Sequence, residues 1–220
     1  MSPIRTALFI ALALGAGNAF ASEGISKVNG GINAESGQAY GDLETVNGSI
    51  HIAAGATTDN ASTVNGGISV GDKAVTGKLG TVNGGIKLER DVTVKGGIET
   101  VNGSIFVDRG GQLKDGVETV NGAIGLVGTR LGGGISTVNG DITVGIDSVV
   151  KGGIKVEKNN SWLQVKPKRD PRIVIGPNAV VEGPLVFERA VKLYVHKTAR
   201  IGAVTGATAQ SYETPTAPAE

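Results

Sequence analysis

The chain of 220 residues has no cysteine, which excludes disulfide scaffolds, cysteine-ligated zinc and thiol nucleophiles. Aromatic residues are scarce, 4 Phe, 3 Tyr and 1 Trp, too few for an ordinary globular core. Neither sign of charge dominates: 21 Lys and Arg stand against 20 Asp and Glu, a formal net charge of +1. That balance excludes a basic nucleic-acid-binding domain and an acidic solvating tail as the main feature. With 7 prolines and no glycine at every third position, a collagen helix is excluded too. No apolar run approaches the ~18 residues that a membrane-spanning helix needs. What the chain does have is glycine, 36 residues, more than twice the usual share.

Residues 1–21 read as an export signal. Arg5 is a lone positive charge ahead of the apolar run Ala7 to Leu14. Ala19-Phe20-Ala21 supplies the small-residue cleavage pattern, which places the cut between Ala21 and Ser22. The expected mature chain is exported, whether periplasmic, on the outer surface or secreted. With no cysteine after the cut, a lipoprotein anchor is excluded.

The phrase Val-Asn-Gly recurs seven times, with asparagines at Asn29, Asn47, Asn65, Asn83, Asn102, Asn121 and Asn139, 18 or 19 residues apart. Thr precedes the Val in six copies, and an Ile lies four residues after it in all seven, from Ile32 to Ile142. Within one copy, Ile86 to Glu89, Val92 to Val94 and Ile98 to Val101 read as strands. Arg90-Asp91, Lys95-Gly96-Gly97 and Asn102-Gly103 punctuate them as turns. Strands this short cannot bury an apolar face alone, but copies stacked at ~4.8 Å per turn can. The expectation is an all-β fold: a single-stranded, three-sided parallel β-helix of 18–19 residues per turn. Its inner column should hold aligned Val and Ile. Its Asn side chains should form a hydrogen-bonded structural ladder, with Gly taking a positive φ at the corner. An antiparallel meander would also use Asn-Gly, yet identical phrases in one register favour stacking.

The coil is expected over residues 22–206, with an irregular excursion at 157–171 and a disordered tail at 207–220 that contains Pro215 and Pro218. The excursion concentrates Trp162, Lys166, Lys168, Arg169 and Arg172, a basic patch with one indole platform. It would suit the anionic groups of an envelope polysaccharide. A solvated loop whose Trp162 packs on the core is the alternative reading.

The phrase Thr-Val-Asn-Gly-Ser-Ile, at Thr45 to Ile50 and Thr100 to Ile105, resembles the repeat of a family of exported bacterial adhesin-like proteins. The stacking, with Val-Glu-Gly-Pro-Leu at Val181 to Leu185, more loosely resembles the bactofilins, which polymerise and are cytoplasmic. The first resemblance implies a non-catalytic envelope or surface protein with an adhesin-like or scaffold role, whose partner is an envelope polysaccharide or another surface protein. The second favours a right-handed coil and self-association through the coil ends. Neither implies a catalytic residue, a cofactor or nucleic acid.

Four other readings of the outward residues compete with this one. Asp72, Asp91, Asp108 and Asp147 recur near one corner, but Lys73, Arg90 and Arg109 are interleaved, which suits a charged corner better than a calcium site. His196 is similar in setting to the histidine base of hexapeptide-repeat acyltransferases, though it stands alone, as does His51. Glu99 and Glu118 fall at equivalent positions of adjacent turns, the arrangement a polysaccharide-active β-helix enzyme would use. An ice-binding surface is the last alternative, provided that Thr and Asn of Thr-Val-Asn both point outward around an inward Val.

Overall fold

Every strand pairs in parallel with its copy one repeat away, and that single relation generates the molecule. The computed structural model describes residues 23–158 and 169–218. The expected export signal, its cut at Ser22, and Trp162, Lys166 and Lys168 lie outside the described residues. The strands form three parallel sheets, here called A, B and C, of ten, ten and nine strands, with no helix among the described residues. One central turn shows the plan: Leu79–Asn83 lies in sheet A, Ile86–Leu88 in sheet B and Thr93–Val94 in sheet C. The three-sided β-solenoid is therefore observed, about ten turns long.

Alternation decides what fills the bore. Leu79, Thr81, Ile86, Leu88, Val92 and Val94 point inward and are buried. Their stacked copies make one continuous apolar core from Ile32 to Leu193. Each fully buried Val, Leu or Ile contributes ~1.5–3 kcal/mol before chain entropy is counted. Aliphatic side chains, mostly Ile, Val and Leu, fill most of the bore, which accounts for the scarcity of aromatics. At the first turn the bore receives Tyr40, aligned with Thr58, and its hydroxyl accepts a hydrogen bond from the Glu35 N–H at 3.0 Å.

The seven asparagines form the expected ladder. Each Nδ2 donates to the Oδ1 of the copy one turn earlier, from Asn47 on Asn29 to Asn139 on Asn121, at 2.9–3.0 Å.

Two details of the motif differ from the sequence expectation. Thr, not Val, faces the bore: Thr45, Thr63, Thr81, Thr100 and Thr119 are buried, while Val46, Val64, Val82, Val101 and Val120 are half-exposed. The inversion has a polar cause. Each inward hydroxyl donates to the carbonyl of the Asn-Gly glycine one turn back, as Thr81 does to Gly66 at 2.9 Å. A buried hydroxyl with that acceptor in reach satisfies both groups.

The glycines of the motif, in turn, are there for space and not for conformation. Only Gly30 and Gly122 among the seven have positive φ. A Cβ on Gly84 would lie far inside van der Waals contact with the Gly66 carbonyl oxygen, because stacked corners nest. Positive φ is required at a different corner, between sheets B and C. It runs through Gly37, Gly55, Lys73, Asp91, Gly110, Gly128, Asp147 and Asn178, with φ between 49° and 81°.

The tail is the third difference. The coil does not end near residue 206, because Ala209–Tyr212 adds a last strand to sheet B beside Lys192–His196. Residues beyond it fold back over the outer face of that sheet. Ala217 packs on Val174, Tyr194 and Tyr212, and Arg172 Nη2 donates to the Pro218 carbonyl at 2.9 Å. Apolar side chains on the outside of the final turns give these residues something to bury, which their composition alone conceals.

Two sets of variants test these roles. Asn83→Ala removes two ladder bonds and should cost ~1–2 kcal/mol, whereas Asn29→Ala removes one and should cost about half; urea denaturation midpoints measure both. Gly84→Ala should cost more than about 3 kcal/mol, since only backbone can yield. Gly55→Asn should stay within about 0.5 kcal/mol, because the same column already carries Asn178 at φ 56°.

Candidate ligand-binding face

The motif residues are occupied in holding turns together, so a functional surface has to come from the outward columns between them. On sheet A, Glu99 and Glu118 are register partners, as their spacing implied. Lys78 Nζ lies 2.7 Å from Glu99 Oε1. Burial pushes the Glu118 carboxyl above the ordinary glutamate range, Glu99 and Glu157 add repulsion, and Lys78 pulls it partly back. Further along, Lys155 Nζ bridges Glu157 and Glu188, each at 3.1 Å. Sheet A thus carries paired charges of both signs.

The break in the repeat pins itself together. Asp141 receives both Arg169 Nη1 at 2.9 Å and Nη2 at 2.5 Å, and the Arg172 N–H at 2.8 Å. Burial alone would raise the Asp141 pKa, but these bonds and both positive charges hold it below the usual aspartate range. Arg172 also stacks over the Tyr194 ring at 5.1 Å. Arg169 and Arg172 are therefore fastening residues, and the expected basic patch is not a free surface at these two positions. A cleft of about 290 Å³ lies here, between Gly140, Asp141, Pro171 and Arg189. Its polar groups already bond one another. Arg189 Nη1 donates to Asn139 Oδ1 at 2.7 Å, closing the ladder beyond the last of the seven asparagines.

The remaining candidates are placed as follows. Asp72 Oδ1 accepts the Arg90 N–H at 3.0 Å, and Asp91 and Asp147 occupy the positive-φ corner. No cluster of three metal-ligating side chains occurs among the described residues. His196 is buried rather than exposed, edge-on to Tyr212 with ring centroids 5.0 Å apart. Its Nδ1 pairs with Thr198 Oγ1 at 2.9 Å and its Nε2 with the Glu213 carbonyl at 3.2 Å, so it clasps the tail. His51 meets only Ser69, at 2.8 Å. The inward Thr column removes the outward hydroxyl ladder on which the ice-binding alternative depended.

Sheet C presents a different surface, one that the sequence reading passed over. Lys95 and Lys114 follow the register partners Val94 and Leu113, Arg130 pairs with Gln112, and Lys151 follows Val150. Four consecutive turns therefore each project one exposed cation from the same face. Gly132 falls between Lys114 and Lys151 in their column and leaves a notch. The surrounding groove encloses about 670 Å³ above Leu113 and Leu131. Among the described residues, none of these four head groups has an ion-pair or hydrogen-bond partner. Lys78, Lys87, Lys155 and Lys197, on other faces and edges, each contact a carboxylate. The signal was present in the sequence as lysines 19 or 37 residues apart, Lys95, Lys114 and Lys151, but only the register places Arg130 among them.

The raised Glu118 pKa gives a test with a defined sign. Folding favours the protonated carboxyl, so stability is lost as pH climbs from the ordinary glutamate range through the raised value. Glu118→Gln removes that loss. After allowance for solvent screening, the variant should melt about 1–2 °C above the parent near pH 7. The difference should vanish near about pH 3, where both carboxyl states are protonated. Thermal melts at the two pH values measure it.

The chain matches no protein-family model, no curated protein and no solved structure. Its likeness to adhesin-like proteins and bactofilins thus rests on the repeat phrase and the stacking alone.

Proposed function

We propose that the chain is an exported, non-catalytic β-solenoid of the bacterial cell envelope or cell surface, acting as an adhesin-like or scaffold-like binding rod. The observation that carries this reading is the row of cations on sheet C without a partner among the described residues, a surface repeated along the axis of the coil. The residues that recur most faithfully, Thr, Asn and Gly, serve the coil itself. Residues 1–21 support export through Arg5, the apolar run and Ala19-Phe20-Ala21. No helix among the described residues is long and apolar enough to cross a membrane. The resemblance of Thr-Val-Asn-Gly-Ser-Ile to adhesin-like repeats points the same way.

A polysaccharide-active enzyme is the second reading, favoured by the adjacent Glu99 and Glu118 and by the raised pKa of Glu118. The Lys78 bridge to Glu99 and the position of the pair on an open sheet face favour binding over catalysis.

Expression of the full chain in a bacterial host separates these readings. The expected product begins at Ser22 and fractionates with the envelope or the medium. A full-length chain retained in the cytoplasm would overturn export. Release of reducing ends from an envelope polysaccharide, abolished by Glu118→Gln, would replace the binding reading with the enzymatic one.

A further inference from the structure

We infer that the face of sheet C binds a linear acidic glycan, one carrying uronate-type carboxylates, laid along the coil axis over Lys95, Lys114, Arg130 and Lys151. This rests on the reading of the chain as an envelope binding rod and names the ligand class for that surface.

Periodicity is the first argument. One cation per turn on four consecutive turns, at ~4.8 Å per turn, makes a charged row about 14 Å long. An extended glycan rises by a similar distance per sugar, so the carboxylates on one side of an acidic chain come within reach of cations along the row. A compact anion such as free phosphate would engage one or two of them and leave the rest unused.

Availability is the second. A lysine or arginine already bonded to a carboxylate must break that bond before it binds a ligand. These four head groups have none to break among the described residues. Asp115 at one corner, Asp91 and Asp147 at the other and Glu182 one turn beyond Lys151 border the row.

Shape is the third. The Lys114 and Lys151 stems flank Gly132, which the stacking itself requires, since a Cβ there would collide with the Lys114 carbonyl oxygen. The notch lets a chain approach the backbone between two cations. The part-exposed Thr93 and Val149 and the exposed Gln112 border the groove with small apolar and hydrogen-bonding groups suited to a sugar ring. The groove has no aromatic side chain in its lining. Base stacking on single-stranded nucleic acid therefore has no platform. Nor does the lining include a large exposed apolar side chain that could enter a lipid surface.

The test uses the exported full chain and polygalacturonate oligosaccharides, with neutral dextran, single-stranded DNA and anionic phospholipid vesicles as the other arms. Polygalacturonate should bind, should weaken steeply as salt is raised, and should exceed all three other arms. The variant K114Q/R130Q/K151Q should lose at least about tenfold in affinity with its melting temperature nearly unchanged, because exposed charges add little stability. The control K27Q/K87Q/K197Q, with the same change in net charge, should stay within about twofold. Single variants K114Q and R130Q, each milder, carry the test if the triple variant is poorly folded. Equal losses in the triple variant and the control would reduce the row to bulk charge and overturn the proposal. Tighter binding to DNA or vesicles would overturn the glycan assignment, as would no binding to polygalacturonate. If the chain is retained in the envelope yet ignores polygalacturonate, this proposal fails alone; if it is never exported, the reading beneath it fails.

Discussion

In-register stacking of identical residues at the spacing of one β-ladder is the constraint on which everything else depends. A side chain that bonds its own copy must do so in a fixed geometry, and the amide of Asn meets the requirement because it donates and accepts in opposite directions. Six such bonds join Asn29 to Asn139. The same closeness forbids a Cβ at the next residue, since nested corners bring one glycine against the carbonyl of the glycine below. That carbonyl in turn receives the buried Thr hydroxyl of the following turn. Thr, Asn and Gly are therefore one interlocking device, and changing any of them disturbs two turns at once.

A ladder with direction must end, and the structure shows how. Asn139 is the last of the seven asparagines, and Arg189 supplies the donor to its Oδ1. Around this end the regular pattern loosens. The Thr137 hydroxyl is buried without a hydrogen-bond partner among the described residues, unlike its five predecessors. From there on the inward column carries Val156 and Phe187 in place of Thr. The bidentate Arg169–Asp141 pair fastens the chain just ahead of the strand Arg172–Ile175. A departure from the repeat thus needs specific polar fastening where a regular turn needs only register.

Much of this was legible in the sequence, and the exceptions share a cause. Spacing revealed the coil, its three sides and the asparagine ladder, because periodicity in the chain becomes proximity in the stack. Alternation of Val and Thr left their facing ambiguous: the two are near-isosteric and both β-branched. Only the neighbouring Gly66 carbonyl explains why Thr81 faces inward. Positive φ was assigned to the Asn-Gly corner because that dipeptide is an established turn signal. The positive-φ column was disguised by carrying Gly, Lys, Asp and Asn in turn. The last strand was hidden by a polar, proline-containing composition, since the partner for Tyr212 and Ala217 is the outer surface of earlier turns. The candidate binding face was masked in the same way, because Arg130 is not in sequence phase with the three lysines and joins them only through strand pairing.

The three faces of the rod differ in how far their charges are satisfied from within. On sheet A, Glu99 is bridged by Lys78, and Lys155 by Glu157 and Glu188. On sheet B, Lys87 pairs with Glu89, Phe106 packs over Gly125, and the tail covers the final turns. On sheet C four cations project from four successive turns without a partner among the described residues. Like charges stacked at this spacing repel, which costs stability in the absence of a counterion. Stability alone would favour pairing them with acids, as Lys78 and Lys155 are paired on sheet A and Lys87 on sheet B. A row left unbalanced on a coil otherwise built from mutually satisfied ladders is therefore the surface on which an external polyanion has most to gain.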